Sequence, residues 1–378
     1  IAKTHLAADY SDLGEYEKAR SLLFEVLAAY DTTSGSTFYR DKARRFLAQL
    51  YMRLGKCDSA LIANDGSISI YTGVIQRANF LADCAKDKEG RIAANQVYAQ
   101  AAKMLDERRL KVGTQSKSQL GKDASRLYDQ WLMNTINLFT LTSDREHLEQ
   151  AFEITLRSRA FTLREQIHKQ RIGAFSGLPD SLLQHEKRLV AELNFYRNKI
   201  QQPDIDSLKQ ESWNRIIVKK QHDLDALFTQ YKKQHPKYFN QKYSLKYPVI
   251  DDLKRDLKER NTSMLRFFKA GNDLLIFFIN SDTLLVESLN FKDDVEQALA
   301  RYTGVLQQAD WQGDSKARFR DYCESAFQLY QKLVAPFEPF LQENGRILVI
   351  PDQQLGYIPF ETLLVKLPEN LEKPDYSK

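Results

Sequence analysis

The chain has 378 residues, 43% of them hydrophobic and 28% charged, with 55 basic against 50 acidic side chains and a formal charge of +5. That length asks for two to three domains, and a charge so near balance does not by itself imply a nucleic-acid surface. A mean hydropathy of -0.51, with no window approaching the ~18 consecutive apolar residues of a bilayer span, argues against membrane insertion.

Cys57, Cys84 and Cys323 are far apart and form no C-x-x-C pair. Neither a disulfide framework nor a zinc site is therefore expected, and the spacing favours a reducing, cytoplasmic setting. With Ile1 in place of Met, the expectation is a fragment or processed chain whose true start, with any signal peptide, is not included.

In chain order, the first two thirds carry long helical periodicity with few Gly or Pro. Tyr10, Gly14 and Ala19 recur as Tyr51, Gly55 and Ala60, each at an offset of 41. This is similar to the tetratricopeptide pattern, in which the aromatic packs inside a helix pair, the Gly permits a tight turn and the Ala lets the second helix lie close. A third, degenerate unit is expected with Ala94 34 residues after Ala60, Tyr98 and Ala101 behind it, and Glu89 where the turn Gly belongs. Asp31 to Thr37 supplies loop chemistry between the first two units.

Helices are predicted over roughly 121–142 and 144–172. The second carries Ala151-Phe-Glu-Ile-Thr-Leu-Arg-Ser-Arg-Ala-Phe-Thr-Leu-Arg164, which resembles the helix that joins the repeats to the downstream region in repeat-linked CHAT proteins. From Pro179 the period tightens toward seven: Leu182, Leu189, Leu193, Tyr196 and Ile200 form one stripe, Pro203 breaks it, and Trp213, Ile217, Leu224, Leu227 and Tyr231 form a second. The two stripes predict antiparallel helices in a hairpin, either packed on the domain or protruding as a coiled coil.

After Tyr247-Pro248 the texture changes. Met264–Lys269, Leu274–Ile279 and Leu284–Leu289 are β-rich runs separated by turn residues, which predicts an antiparallel meander. Helices are expected near 292–308 and 315–342, the last bent or ended at Pro336 and Pro339. The four aliphatic residues Ile347 to Ile350, closed by Pro351-Asp352, predict a central strand of a parallel sheet, buried on both faces.

That strand, with Leu355 and the Pro359-Phe360-Glu361-Thr362-Leu363-Leu364 run behind it, resembles the opening of the CHAT domain, a caspase-like domain associated with tetratricopeptide repeats. The resemblance covers about 240–365, with the repeats over 1–110. It implies a mainly α fold: a tetratricopeptide-like solenoid (1–110), a helical continuation and hairpin (111–240), and the N-terminal part of an α/β caspase-like domain (241–378). The family's cysteine-peptidase activity needs a His and a Cys beyond this segment, and Thr362 to Lys378 contain neither. The expected role is thus recognition and regulation by a chain without catalytic residues, with a non-enzymatic scaffold or, behind it, a nucleic-acid-binding helical protein as the alternatives.

Four constellations are candidates for chemistry. Cys323 sits on an amphipathic helix rather than at a strand end, where a nucleophilic thiol belongs, and reads as a buried small residue. The six His residues show no metal spacing, although His185 and His222 could face each other across the hairpin, and no Gly-rich phosphate loop occurs, so no cofactor is expected. The basic run from Arg215 through Lys219, Lys220, Lys232, Lys233, Lys237, Lys242 and Lys246, interleaved with Phe228, Tyr231, Tyr238, Phe239 and Tyr243, has a nucleic-acid composition, yet it also fits a solvated helix face with its aromatics turned inward.

The fourth is Lys42, Arg45, Gln49 and Arg53, whose spacings of 3, 4 and 4 place them on one narrow helical arc. In the tetratricopeptide register that arc lines the concave groove. The expected partner is a protein or peptide, acidic or presenting its C-terminus.

Overall fold

The computed structural model describes residues 2–31, 37–65, 71–110, 114–171, 178–200, 207–242, 249–307, 315–341 and 345–371. They form a mostly helical protein with a small sheet toward the C-terminus, divided into two units: residues 1–143 with 156–247, and 144–155 with 248–378.

In the first unit, helices α1 (Ala2–Asp12) and α2 (Tyr16–Asp31) are joined by a turn that repeats between α3 (Thr37–Arg53) and α4 (Cys57–Asp65). The physical reason is glycine. Gly14 (φ 79°) and Gly55 (φ 68°) take the left-handed conformation that residues with a Cβ avoid. Each closes the same pair of bonds: Gly14 N–H to Ser11 C=O and Glu15 N–H to Tyr10 C=O, then Gly55 N–H to Met52 C=O and Lys56 N–H to Tyr51 C=O. This is the Schellman arrangement, which satisfies carbonyls the helix end would otherwise orphan. Ala19 and Ala60 are fully buried at the start of the second helix of each pair, where a small side chain permits close approach.

Next come α5 (Tyr71–Cys84), α6 (Lys88–Leu110), α7 (Thr114–Thr142) and α8 (Arg145–Arg171). Consecutive helices from α1 to α7 pack on one another, and α1, α3, α5 and α7 also touch in series, forming one layer. The expected turn at Glu89 is corrected. The α5–α6 turn spans residues 85–87, and Glu89 lies in the first turn of α6. The missing glycine is replaced by an aspartate: Asp87 Oδ1 accepts from the Gly90 N–H at 2.8 Å, an N-terminal cap. The Asp31–Thr37 loop lies largely outside the described residues.

The hairpin forms as α9 (Asp180–Lys199) and α10 (Ser207–Gln234), followed by α11 (Pro236–Lys242). Leu189, Leu193, Leu224, Leu227 and Tyr231 are buried in its own apolar cluster, with Leu182 and Ile217 packed against it. The break at Pro203 falls outside the described residues.

In the second unit, α12 (Ile250–Glu259) leads into the meander β1 (Thr262–Ala270), β2 (Asp273–Ile279) and β3 (Leu284–Asn290), paired antiparallel. The first loop has two residues and begins with Gly271 at φ 61°, the sign a tight hairpin requires. A six-residue π-turn, Phe291–Glu296, runs into α13 (Gln297–Gln307), and α14 (Ser315–Leu333) ends in a 3-10 turn holding Pro336 and Pro339. One sheet face, with Leu265, Phe267, Leu274, Ile276 and Phe278, packs on α13 and α14, and Phe278 stacks on Phe337 at 5.7 Å. The opposite face meets the first turns of α8. There Phe152 stands edge-on to Phe277 at 5.7 Å, and buried Arg266 donates to Thr155 Oγ1 (2.9 Å) and to its carbonyl (2.8 Å).

β4 (Arg346–Ile350) pairs parallel to β1, giving the order β3-β2-β1-β4. The expectation of a central strand buried on both faces is corrected: among the described residues β4 stands at the edge of the sheet, with Ile347 44% and Leu348 45% exposed on opposite faces. An aliphatic run reports the apolarity of both faces but not whether a neighbour covers them. The Pro351-Asp352 closure has a local cause. Proline has no N–H with which to continue the ladder, and the buried Asp352 carboxylate accepts from Lys269 N–H at 3.0 Å, beyond the last β1–β4 residue pair.

Candidate functional site

The layer of odd-numbered helices carries two adjoining concavities. The larger, about 320 Å³, lies between α3, α5 and α7, and the smaller, about 210 Å³, between α1, α2 and α3. Lys42, Arg45 and Gln49 line the first, Gln49 and Arg53 the second, and Phe46 and Gln49 separate them. The arc read from the spacing on α3 therefore faces open space as one continuous wall.

The four side chains differ in how they are held. The Arg45 guanidinium donates from Nη1 to Thr72 Oγ1 of α5 at 3.1 Å, and the Arg45 carbonyl accepts from Gln76 Nε2 at 3.1 Å. Its Nε is buried with no acceptor, and burial pulls its pKa down, outweighing the attraction of Asp41 and Tyr71. The guanidinium is thus part-buried on the cavity wall, with its Nε sealed from solvent. Lys42 Nζ lies 3.0 Å from His5 Nε2 and 6.0 Å from the Phe46 ring centre. Arg53 is engaged by α1, with Asp12 at 2.6 Å and Ser11 Oγ at 3.1 Å.

The opposite walls supply Thr72, Gln76 and Asn79 from α5, and Asp123 and Arg126 from α7. Asp123 accepts the Tyr71 hydroxyl at 2.5 Å, and burial together with that contact raises the Tyr71 pKa. Arg108 lies over the same ring at 5.1 Å. The 4 and 3 spacing of Thr72, Gln76 and Asn79 is the same arc signal as on α3. Being uncharged, that arc is marked as part of a site only by the helix that stands opposite it.

Below the smaller concavity Ala7, Ala8, Leu23 and Leu50 form an apolar floor, and the Arg53–Asp12 pair sits at its rim. Together the two concavities place Lys42, Arg45 and Arg126, with Asp123 among them, beside a compartment that has an apolar floor and a charged rim.

The remaining candidates take other places. Cys323 is buried on α14, and burial pushes its thiol pKa up, the opposite of an activated thiolate. His185 and His222 are exposed on α9 and α10, and among the described residues no three His, Cys, Asp or Glu side chains gather as a metal site would need. In the basic stretch, Phe228 and Tyr231 are buried and Tyr238 and Phe239 pack against the same cluster, so these rings are used by the hairpin core. Lys220 pairs with Glu192 at 2.6 Å and Arg215 with Glu211 at 2.7 Å. Tyr243 and Lys246 lie outside the described residues.

The expectation of no disulfide is corrected: Cys57 and Cys84 are bonded, with their Cα atoms 6.0 Å apart. Their separation of 27 residues carries no pairing signal in the sequence, and only the packing of α4 beside α5 brings them together.

No family model matches this chain, and no curated protein is significantly similar to it.

Proposed function

We propose that the chain is a recognition module that binds an acidic protein segment in the concave layer of α1, α3, α5 and α7. The observation that carries this reading is the cavity of about 320 Å³ whose walls bring together the side chains of Lys42, Arg45 and Arg126. A carboxylate seated there would meet these cations, and charge-assisted bonds of this kind are the strong ones. The neighbouring apolar floor suits an aliphatic side chain of the same ligand.

The helical part is read as a tetratricopeptide-like solenoid. Its support is the repeated Tyr-Gly-Ala signature with one turn geometry at Gly14 and Gly55, and the stacking of the odd-numbered helices in series. The second unit is read as the opening of a caspase-like CHAT domain, supported by the meander and the parallel strand closed by Pro-Asp. Cysteine-peptidase chemistry would then belong to a longer protein, with this chain supplying recognition and regulation.

The test uses a fluorescent Glu-rich peptide titrated against the full chain at low and high salt. Binding that weakens as salt rises, and is lost in Arg45→Glu with Arg53→Glu while helicity is kept, is the expected result. An oligonucleotide that binds instead, survives those reversals and is lost when Lys232, Lys233 and Lys237 are neutralised would replace this reading.

A further inference from the structure

The cavity lies across a seam in the fold. One wall is α3, packed on α4, and the facing residues come from α5 and α7, which are packed through α6. What joins the two sides is therefore the α3/α4 contact with α5, and its components are unevenly spread along α5. The polar links fall on Thr72 (to Arg45), Gln76 (to the Arg45 carbonyl and to Asn64) and Arg77 (to Asp65 and the Leu61 carbonyl), in the first two turns. Toward the C-terminus of α5 stand the cluster of Phe80 with Ala48 and Ala60 and then the Cys84 bridge to Cys57, with Met52 Sδ 3.7 Å from Cys84 Sγ. Tyr51, Met52, Leu61 and Ala63 pack against this cluster too, but Phe80 stands one turn before Cys84, so it is the final turn of α5 that the covalent link ties to α4.

We propose that the Cys57–Cys84 bond is a redox-sensitive staple that fixes the walls of this cavity, and that reduction by a dithiol frees the last turn of α5 from α4 and loosens the site. Chain connectivity already joins α4 to α5 at one end, and the bridge joins the start of α4 to the end of α5, closing a covalent ring around the seam. Both cysteines are half-buried rather than enclosed, so a small thiolate can reach them. A dithiol thiolate attacks one sulfur, breaking the protein bond and forming a mixed disulfide. Its second thiolate then displaces the sulfur still held, so the reductant leaves as its own disulfide and the protein gains two electrons and two protons as two thiols. A disulfide oxidant reverses the exchange. The pairing suits an oxidising compartment, where the staple stays closed, or a reducing one in which bridges are transient and sensing.

The experiment uses the full chain in three forms: air-oxidised, reduced with dithiothreitol and alkylated, and the double variant Cys57→Ser with Cys84→Ser. Intact mass confirms the redox state, and amide exchange is followed over α5, with α14 as internal reference. Exchange in the last turn of α5 should quicken about tenfold in the reduced and double-variant forms with α14 unchanged, and a Glu-rich probe peptide should bind more weakly to both. Equal exchange in α5 across the three forms overturns the proposal. So does free thiol at Cys57 and Cys84 in the air-oxidised chain, or exchange that rises over all of residues 2–143, which would make the bridge a general support of the fold. If α5 responds as expected but no form binds the peptide, the staple stands and the acidic-ligand reading of the cavity fails.

Discussion

Arg45→Met separates a residue kept for binding from one kept for folding. The substitution keeps the aliphatic stem and removes the guanidinium. On the folding side it forfeits the bond to Thr72, which from a charged donor is worth about 1.5–3 kcal/mol. It also removes a charge whose burial is unfavourable, a penalty on the order of 1–3 kcal/mol for a half-buried ion. The lowered pKa of Arg45 has burial as its largest cause and fixes the sign of that second effect: the charged form is less comfortable folded than unfolded. Because the guanidinium titrates far above neutrality, this strain is constant between about pH 5 and 9. The two effects nearly cancel, leaving a net change of about 1 kcal/mol or less and a melting shift within about 4 °C for a unit of this size. Binding has no such offset. Loss of one charge-assisted contact costs the ligand about 1.5–3 kcal/mol, or roughly 10- to 150-fold in affinity. Thermal unfolding by circular dichroism and peptide titration by fluorescence anisotropy measure the two sides. A melting drop above about 10 °C would show that Arg45 holds the helices together, and unchanged affinity would remove it from the site.

The fold sets two further outcomes. Gly14→Ala and Gly55→Ala should each destabilise by about 1 kcal/mol and add in combination, because a Cβ at either position meets nothing within 4 Å and only the left-handed backbone is strained; a larger loss in chemical denaturation would point to packing instead. Ile347→Asp, on the exposed edge strand, should leave the second unit folded, whereas Phe278→Ala should cost about 3–5 kcal/mol through a cavity against Phe337, and a reversed order in a proteolysis assay would move β4 into the core.

What the sequence disclosed is set by the range over which each signal acts. The turns at Gly14 and Gly55, the helices α7 and α8, the hairpin stripes and the meander are local patterns of period or turn chemistry, and they formed close to where those patterns placed them. The arc of Lys42, Arg45, Gln49 and Arg53 was legible for the same reason, since one helix's periodicity fixes which side chains share a face. Its surroundings were not. Thr72 and Asp123 reach the same cavity only through the packing of α5 and α7, and Arg53 turns out to be occupied by Asp12, a residue 41 positions away. The same limit hid the bridge between Cys57 and Cys84 and misplaced β4. An aliphatic run is identical in sequence whether or not a neighbouring strand or helix covers it, and only the register with β1 shows that Ile347 and Leu348 stand at the rim. The local signal and the tertiary outcome part at the bridge and at the β4 edge, where the chain forms a bond that no spacing announces and leaves the apolar side chains of Ile347 and Leu348 half-exposed.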